Sequence, residues 1–237
     1  MNRKVVVIIM TFLIVALVGC NSIKVVREKT EWCDLWWGNE ADITKPRVLF
    51  IGNSISRAYF PYASEILHDF ANCDRYSSSR SITDPALLEE TKIAMAKYDH
   101  AVIVFNNGLH GWHLSGSEYE DGLRKYVKFL KSRKAKNCKL IYALITPVSS
   151  GEAGVKLDPG KNGIVLERNQ IAETIMKENN IDVIDLYGLM EPELEKYSIE
   201  KGDLHYNSDG YKRIANALFL LIVLQSCAEI KYLSSCL

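Results

Sequence analysis

Along this chain, short apolar runs take turns with longer stretches whose apolar residues return every three or four positions. RVLFIGN, HAVIVFNN and CKLIYALIT are runs of the first kind, and each is closed by Gly, Asn or, at Pro147, proline. Their β-branched residues and lack of polar alternation predict strands buried on both faces of a sheet. CDRYSSS and IDVIDL are shorter strand-like pieces. Helical spacing marks residues 57–70, PALLEETKIAMAKY with Pro85 in its first turn, and SEYEDGLRKYVKFLKSRKA, where Tyr119, Leu123, Val127 and Leu130 recur. IVLERNQIAETIMKEN, the short EPELEKY and a last stretch from Gly210 into ANALFLLIVL follow, with SSGEAGVKLDPGKNG as a loop between. The repeated strand-then-helix order predicts an α/β fold, a parallel sheet of about five strands with helices on both faces. In such a sheet ligands bind beyond the carboxyl ends of the strands. That rule selects GNSIS, SSSRSIT, NNGLHGWH, TPVSS and the segment after IDVIDL.

The amino end changes this picture. Arg3 and Lys4 precede an apolar stretch, residues 5–18, that is short for a membrane span and ends in LVGC. The arrangement resembles a bacterial lipoprotein signal with Cys20 as the lipidated residue. It divides the chain into a signal with lipobox over residues 1–20, a tether and N-terminal segment over 21–45, and one domain over 46–237. The expected location is extracytoplasmic, anchored to a membrane through Cys20. The 29 basic and 29 acidic residues balance and argue against a nucleic-acid partner. Of the remaining cysteines, Cys73 and Cys138 read as buried apolar residues, while Cys227 and Cys236 are placed to close a C-terminal loop. No spacing suits zinc, and His110 and His113 in HGWH lack an evident third ligand.

Ser54 lies where a buried strand gives way to a helix. The plainer reading makes Ser54 or Ser56 the N-cap of that helix. The sharper one makes Ser54 a nucleophile, which needs a base. His205, in GDLHYNSDGYKRIAN, precedes the last helix, and Asp203 stands two residues earlier, able to hold the other imidazole nitrogen. Asn207, Ser208 or Asp209 suits the cap of that last helix.

IGNSIS and DLHYNSDGYKRIA resemble the first and last conserved blocks of the SGNH, or GDSL-like, hydrolases, over residues 47–224 or so. The resemblance implies a flavodoxin-like three-layer α/β/α sandwich, with Ser54 as nucleophile, His205 as base and no metal or organic cofactor. It also implies an oxyanion hole, to which the Ser54 amide contributes. The middle blocks depart from the family. SSSRSITDP lacks the usual glycine, so a backbone amide of Ser79, Arg80 or Ser81 takes its place. In GLHG, His110 stands where the family has asparagine, so either Asn107 or His110 supplies the remaining donor. The family's aspartate position holds Gly202, leaving Asp203 or a backbone carbonyl to orient His205.

The function expected from this is a serine esterase acting on small acyl esters, acetyl above all, with acylated carbohydrates among its substrates. Trp112 is the candidate for lining the substrate cleft. Trp32, Trp36 and Trp37 are either a sugar platform or edge packing. The competing expectations are a non-catalytic binding lipoprotein of the same fold and an acyltransferase acting on a glycan.

Overall fold

The computed structural model describes residues 25–153 and 156–234, with side chains of the last helix as far as Val223. Residues 1–20 with Cys20, the Cys227 side chain and Cys236 lie outside the described residues.

Among the described residues six strands form one sheet: β1 (Cys33–Trp37), β2 (Arg47–Gly52), β3 (Asn72–Ser78), β4 (Val102–Phe105), β5 (Lys139–Ala143) and β6 (Asp182–Ile184). Their spatial order is β1-β3-β2-β4-β5-β6. All neighbours from β3 to β6 pair in parallel, as expected. The addition is β1, antiparallel against β3 with Cys33 opposite Ser78 and Trp37 opposite Asp74. It comes from residues 21–45, read as tether and N-terminal segment, so the sheet begins before residue 46. Trp36 and Trp37 therefore sit on an edge strand.

The helices are α1 (Ser54–Leu67), α2 (Pro85–Ala96), α3 (Gly116–Arg133), α4 (Lys161–Glu178), α5 (Leu186–Met190), α6 (Leu194–Tyr197) and α7 (Ser208–Ser234). Among the described residues no helix is long and apolar enough to cross a membrane. Strand residues alternate between two apolar layers, as a pleat requires. Val48, Phe50, Val102, Val104, Ile141 and Ala143 meet α1 and α7 residues such as Tyr59, Ala63, Ile214 and Leu218. Leu49, Ile51, Ile103, Phe105, Leu140 and Tyr142 meet Leu87 of α2, Leu123 and Val127 of α3 and Ile175 of α4. The result is the expected three-layer sandwich. Cys73 and Cys138 are both buried, and burial pushes the Cys73 thiol up to about 12.

The amino end of β2 is tied by a charged cluster. Asp74 accepts from Arg47 at 2.6 and 2.8 Å, from the Gly38 amide at 3.1 Å, and sits 2.9 Å from His100 Nε2. Tyr98 stacks under the Arg47 guanidinium, 4.0 Å from its ring centre. Burial pushes the Asp74 carboxyl up, but Arg47 and His100 outweigh it and hold its pKa below the ordinary value.

Candidate active site

The end of β2 is built to present Ser54. Asn53, in extended conformation, caps α1: its Oδ1 accepts from the Ile55 amide at 2.9 Å. The cap is thus Asn53, not Ser54 or Ser56, which leaves the Ser54 hydroxyl unneeded by the helix end. Ser56 instead donates to the Asn53 carbonyl at 2.8 Å and pairs with Ser77 of β3 at 3.2 Å. It packs so near Gly52 that a Cβ there would lie 2.6 Å from the Ser56 hydroxyl. The apolar run must therefore end in glycine for the helix to start this close.

Asparagine at 53 has a local reason too. Its amide nitrogen reaches Asn106 Oδ1 at 3.3 Å, and Asn106 in turn donates to the Ala143 carbonyl at 2.6 Å. One amide chain thus links the carboxyl ends of β2, β4 and β5. An aspartate could cap the helix but has no N–H for Asn106.

His205 reaches Ser54 from the other end of the chain. Its Nε2 lies 2.9 Å from Ser54 Oγ, and its Nδ1 lies 2.7 Å from Asp203 Oδ1. The same Asp203 oxygen accepts the His205 amide at 2.9 Å, closing a tight turn. Gly202, at φ +80°, supplies the left-handed residue that this turn needs. The displaced aspartate is thereby brought onto the ring by its own backbone geometry. Burial pushes the Asp203 carboxyl up, but the amide and ring of His205 prevail and hold its pKa below the ordinary value. The loop is pinned on both sides. Ser149 donates to the Asp203 carbonyl at 2.8 Å, and the Tyr206 hydroxyl donates to the Pro147 carbonyl at 2.9 Å. Asn207 caps α7 by accepting from the Asp209 and Gly210 amides. The His205 side chain remains 38% exposed, enough for a small hydroxylic molecule to approach the ring.

The sequence-derived oxyanion donors fare unequally. The Ser54 amide lies in the first turn of α1, where amides have no acceptor within the helix. The Ser79 amide is engaged, donating to the Trp32 carbonyl at 3.1 Å, and its hydroxyl donates to Glu31 at 2.6 Å. Asn107 commits one of its two side-chain N–H groups to the Arg80 carbonyl at 2.9 Å, which leaves the second for the oxyanion. Ser79 is corrected from oxyanion donor to loop fastener. His110 keeps a buried Nε2 without a hydrogen-bond partner, while Nδ1 sits 2.7 Å from Glu28. A carboxylate only accepts, so the Nδ1 proton points to Glu28. Nε2 then donates only when the ring is charged.

Sequence reasoning missed two contributors. Residues 25–32 run as a strap over these loops, with Arg27 forked on Asp84 at 2.9 and 3.2 Å, and Glu28 and Glu31 bonded as above. Arg168 of α4 is 1% exposed and donates to the carbonyls of Gly108 and Gly111, both at 2.7 Å. Burial lowers its pKa, and no carboxylate is needed to hold it: the carbonyls of the third loop take that place. A helical Arg gives no local sign of this, since its acceptors lie far back in the chain.

Hollows adjoin the loops. One of about 10 Å³ lies under the start of α1, lined by Asn53, Ile55, Asn106, Leu109 and Thr146. Another, about 260 Å³, lies between the strap and the loop after β4, with Glu28, Glu31, Ser81, Trp112 and His113 on its walls. Trp112 thus lines a cleft, its ring 5.6 Å from the Arg168 guanidinium. Trp32 instead packs edge-on against His110, with ring centres 6.5 Å apart.

No protein-family model matches this sequence, and no curated relative matches it either. Solved structures do. An acetyl xylan esterase superposes with a TM-score of 0.58 at 18% identity, over 74% of this chain and 99% of that one. A GDSL-like lipase from Bacteroides thetaiotaomicron gives 0.56 at 16% identity, over 74% and 87%. A member of the lipolytic G-D-S-L family from Veillonella parvula gives 0.55 at 18%, over 72% and 94%. The likeness spans nearly the whole of each neighbour, and the chain has the fold of the SGNH and GDSL-like hydrolases.

Proposed function

We propose that the protein is a serine esterase releasing small acyl groups, acetyl above all, from a carbohydrate alcohol. The observation that carries this reading is the line Ser54–His205–Asp203, with contacts of 2.9 and 2.7 Å drawn from opposite ends of the chain. Ser54 Oγ attacks the ester carbonyl while His205 Nε2 takes its proton. Asp203 holds the ring tautomer and steadies the imidazolium. The developing oxyanion is met by the Ser54 amide and by a side-chain donor of the loop after β4, Asn107 or His110. His205 then protonates the leaving alcohol, and water, deprotonated by the same ring, releases the acid from Ser54.

A small acyl group is favoured because the hollow under the start of α1, at about 10 Å³, has room for one water and none for a long acyl chain. The larger cleft at Trp112 suits the alcohol portion, and the acetyl xylan esterase among the fold neighbours favours a sugar there. We also place the chain outside the cytoplasm, anchored through Cys20, on the strength of LVGC and the residues before it. Incorporation of radiolabelled palmitate that vanishes in Cys20→Ala tests this part.

For the chemistry, Ser54→Ala is expected to abolish hydrolysis of p-nitrophenyl acetate and labelling by a fluorophosphonate probe without changing the melting profile. Turnover that survives the substitution removes the mechanism, and a wild-type protein that neither labels nor hydrolyses is a binding module. Across p-nitrophenyl esters, kcat/KM should fall steadily from acetate to octanoate. A maximum at the longer chains contradicts the small acyl site.

A further inference from the structure

The molecule carries a second, chemically distinct concavity at the far end of the sheet. Between Asp121 and Glu152 the sequence has no acidic residue, yet it has eight Lys and Arg. They occupy the later turns of α3 and the loop into β5. Lys131, Lys134, Lys136 and Lys139 surround a hollow of about 330 Å³, faced by Asn179 and Asn180 at the end of α4. Asp182 is the one carboxylate among the described residues on its wall. Lys139 opens β5 and Asp182 opens β6, so the hollow lies at the amino ends of parallel strands. Ser54 follows the carboxyl end of β2, beyond the opposite ends of the strands, at least about 17 Å away for a five-residue strand.

Part of this charge has a purely structural use. Lys131 and Arg133 lie in the last turn of α3, where cations complement the helix dipole, and Lys131 also donates to Asn179 Oδ1 at 2.9 Å. The Lys134 ammonium folds onto the carbonyls of Ala135, Lys136 and Cys138, at 3.3, 3.4 and 2.7 Å, and so shapes the loop. Neither use accounts for Lys125 and Lys128 on the exposed side of α3, or for the exposed Lys136 and Lys139 at the hollow. A face of like charges gathers anions and gives up part of its own repulsion when it binds them. The hollow also offers the exposed side-chain amides of Asn137 and Asn180 beside its ammonium groups. That pairing suits anionic groups and hydroxyls on one ligand. Among the described residues, the exposed large apolar side chains lie elsewhere, at Val26, Trp36, Ile43, Phe70, Ile93, Leu166, Ile199 and Leu220. No large apolar side chain among them is placed to carry this face into a bilayer.

We propose that this hollow is a binding site for an anionic glycan, a sugar chain bearing carboxylate or sulfate groups. It is independent of the chemistry at Ser54. Binding of the full-length protein to polygalacturonate is measured by calorimetry, with neutral dextran, polyglutamate and phosphatidylglycerol vesicles as comparisons. Polygalacturonate should bind at about 0.01 M salt and release near 1 M, where the Debye length falls to about 3 Å. Dextran should not bind, and polyglutamate and vesicles should bind more weakly than polygalacturonate. K136E/K139E should weaken polygalacturonate binding about tenfold or more, with the neutral pair K136Q/K139Q intermediate. Both variants should keep wild-type melting and wild-type hydrolysis of p-nitrophenyl acetate. Unchanged binding in both folded variants overturns the site. Absence of binding at low salt, or equal or tighter binding of polyglutamate or vesicles, overturns the glycan assignment. Loss of esterase turnover in Ser54→Ala leaves every one of these readings intact, so the two proposals fail separately.

Discussion

At Asp203 a single carboxylate does two jobs, closing its own turn on the His205 amide and facing the His205 ring. Replacing it by asparagine keeps an acceptor for the amide but removes the charge that steadies an imidazolium. For Asp203→Asn, kcat on p-nitrophenyl acetate should fall by about 10²–10⁴ at neutral pH. The pH dependence of that deficit follows from the sign of the shift. The carboxyl pKa is held down in the folded protein, so its charge persists above the ordinary value of about 3.9 and is lost only as pH falls through the lower folded value. Below about pH 4 acid removes this charge from the wild type as well, and the ratio of wild-type to variant kcat/KM should narrow there. An Asp203 carboxyl that titrates above about 3.9 by carbon NMR would mean that it is not the charged partner.

Among the elements, β2 and β3 depend most on one cluster. Arg47 and Asp74 are both buried and mutually bonded, so removing one strands the other. Asp74→Asn should cost about 3–5 kcal/mol in urea unfolding at pH 7. Because the folded-state carboxyl is depressed, this contribution is whole above about pH 3.9 and disappears as acid carries the pH through the folded value. The gap between wild type and variant should thus shrink on acidification, and a gap that widens would contradict the assignment. The strands of this cluster were legible in sequence because parallel strands covered on both sides are apolar throughout. Ser54 and His205 were legible because each sits where a strand or loop gives way to a helix. β1 was not legible: Cys33–Trp37 is half exposed along its length, and only its pairing with β3, some forty residues on, makes it a strand. The oxyanion donors escaped for a related reason. Whether the Ser79 amide is available depends on Trp32, which no local pattern connects to it.

For the molecule as a whole, the strap ahead of β1 joins the amino-terminal segment to the site. Arg27 grips Asp84, the cap of α2, while Glu28 meets His110 and Glu31 accepts from Ser79. Each of these bonds has an ionised partner, which makes it stronger than a neutral one. They bear on the two loops that flank the end of β2, so the strap acts on the chemistry as well as on stability. A chain beginning at Ser22 keeps every one of these contacts, whereas a chain beginning at Trp32 loses them all. The first should melt and hydrolyse p-nitrophenyl acetate like the full-length protein. The second should melt several degrees lower, since even a modest loss of stability moves the midpoint visibly in a domain of this size. Its kcat should fall about tenfold or more, because His110 is left without the carboxylate that aims its ring. Adding Glu28→Gln alone to the Ser22 chain separates the effects: it should lower kcat while leaving most of the melting temperature in place. If the Trp32 chain turns over at the full rate, the strap is packing alone, and the oxyanion is stabilised without His110.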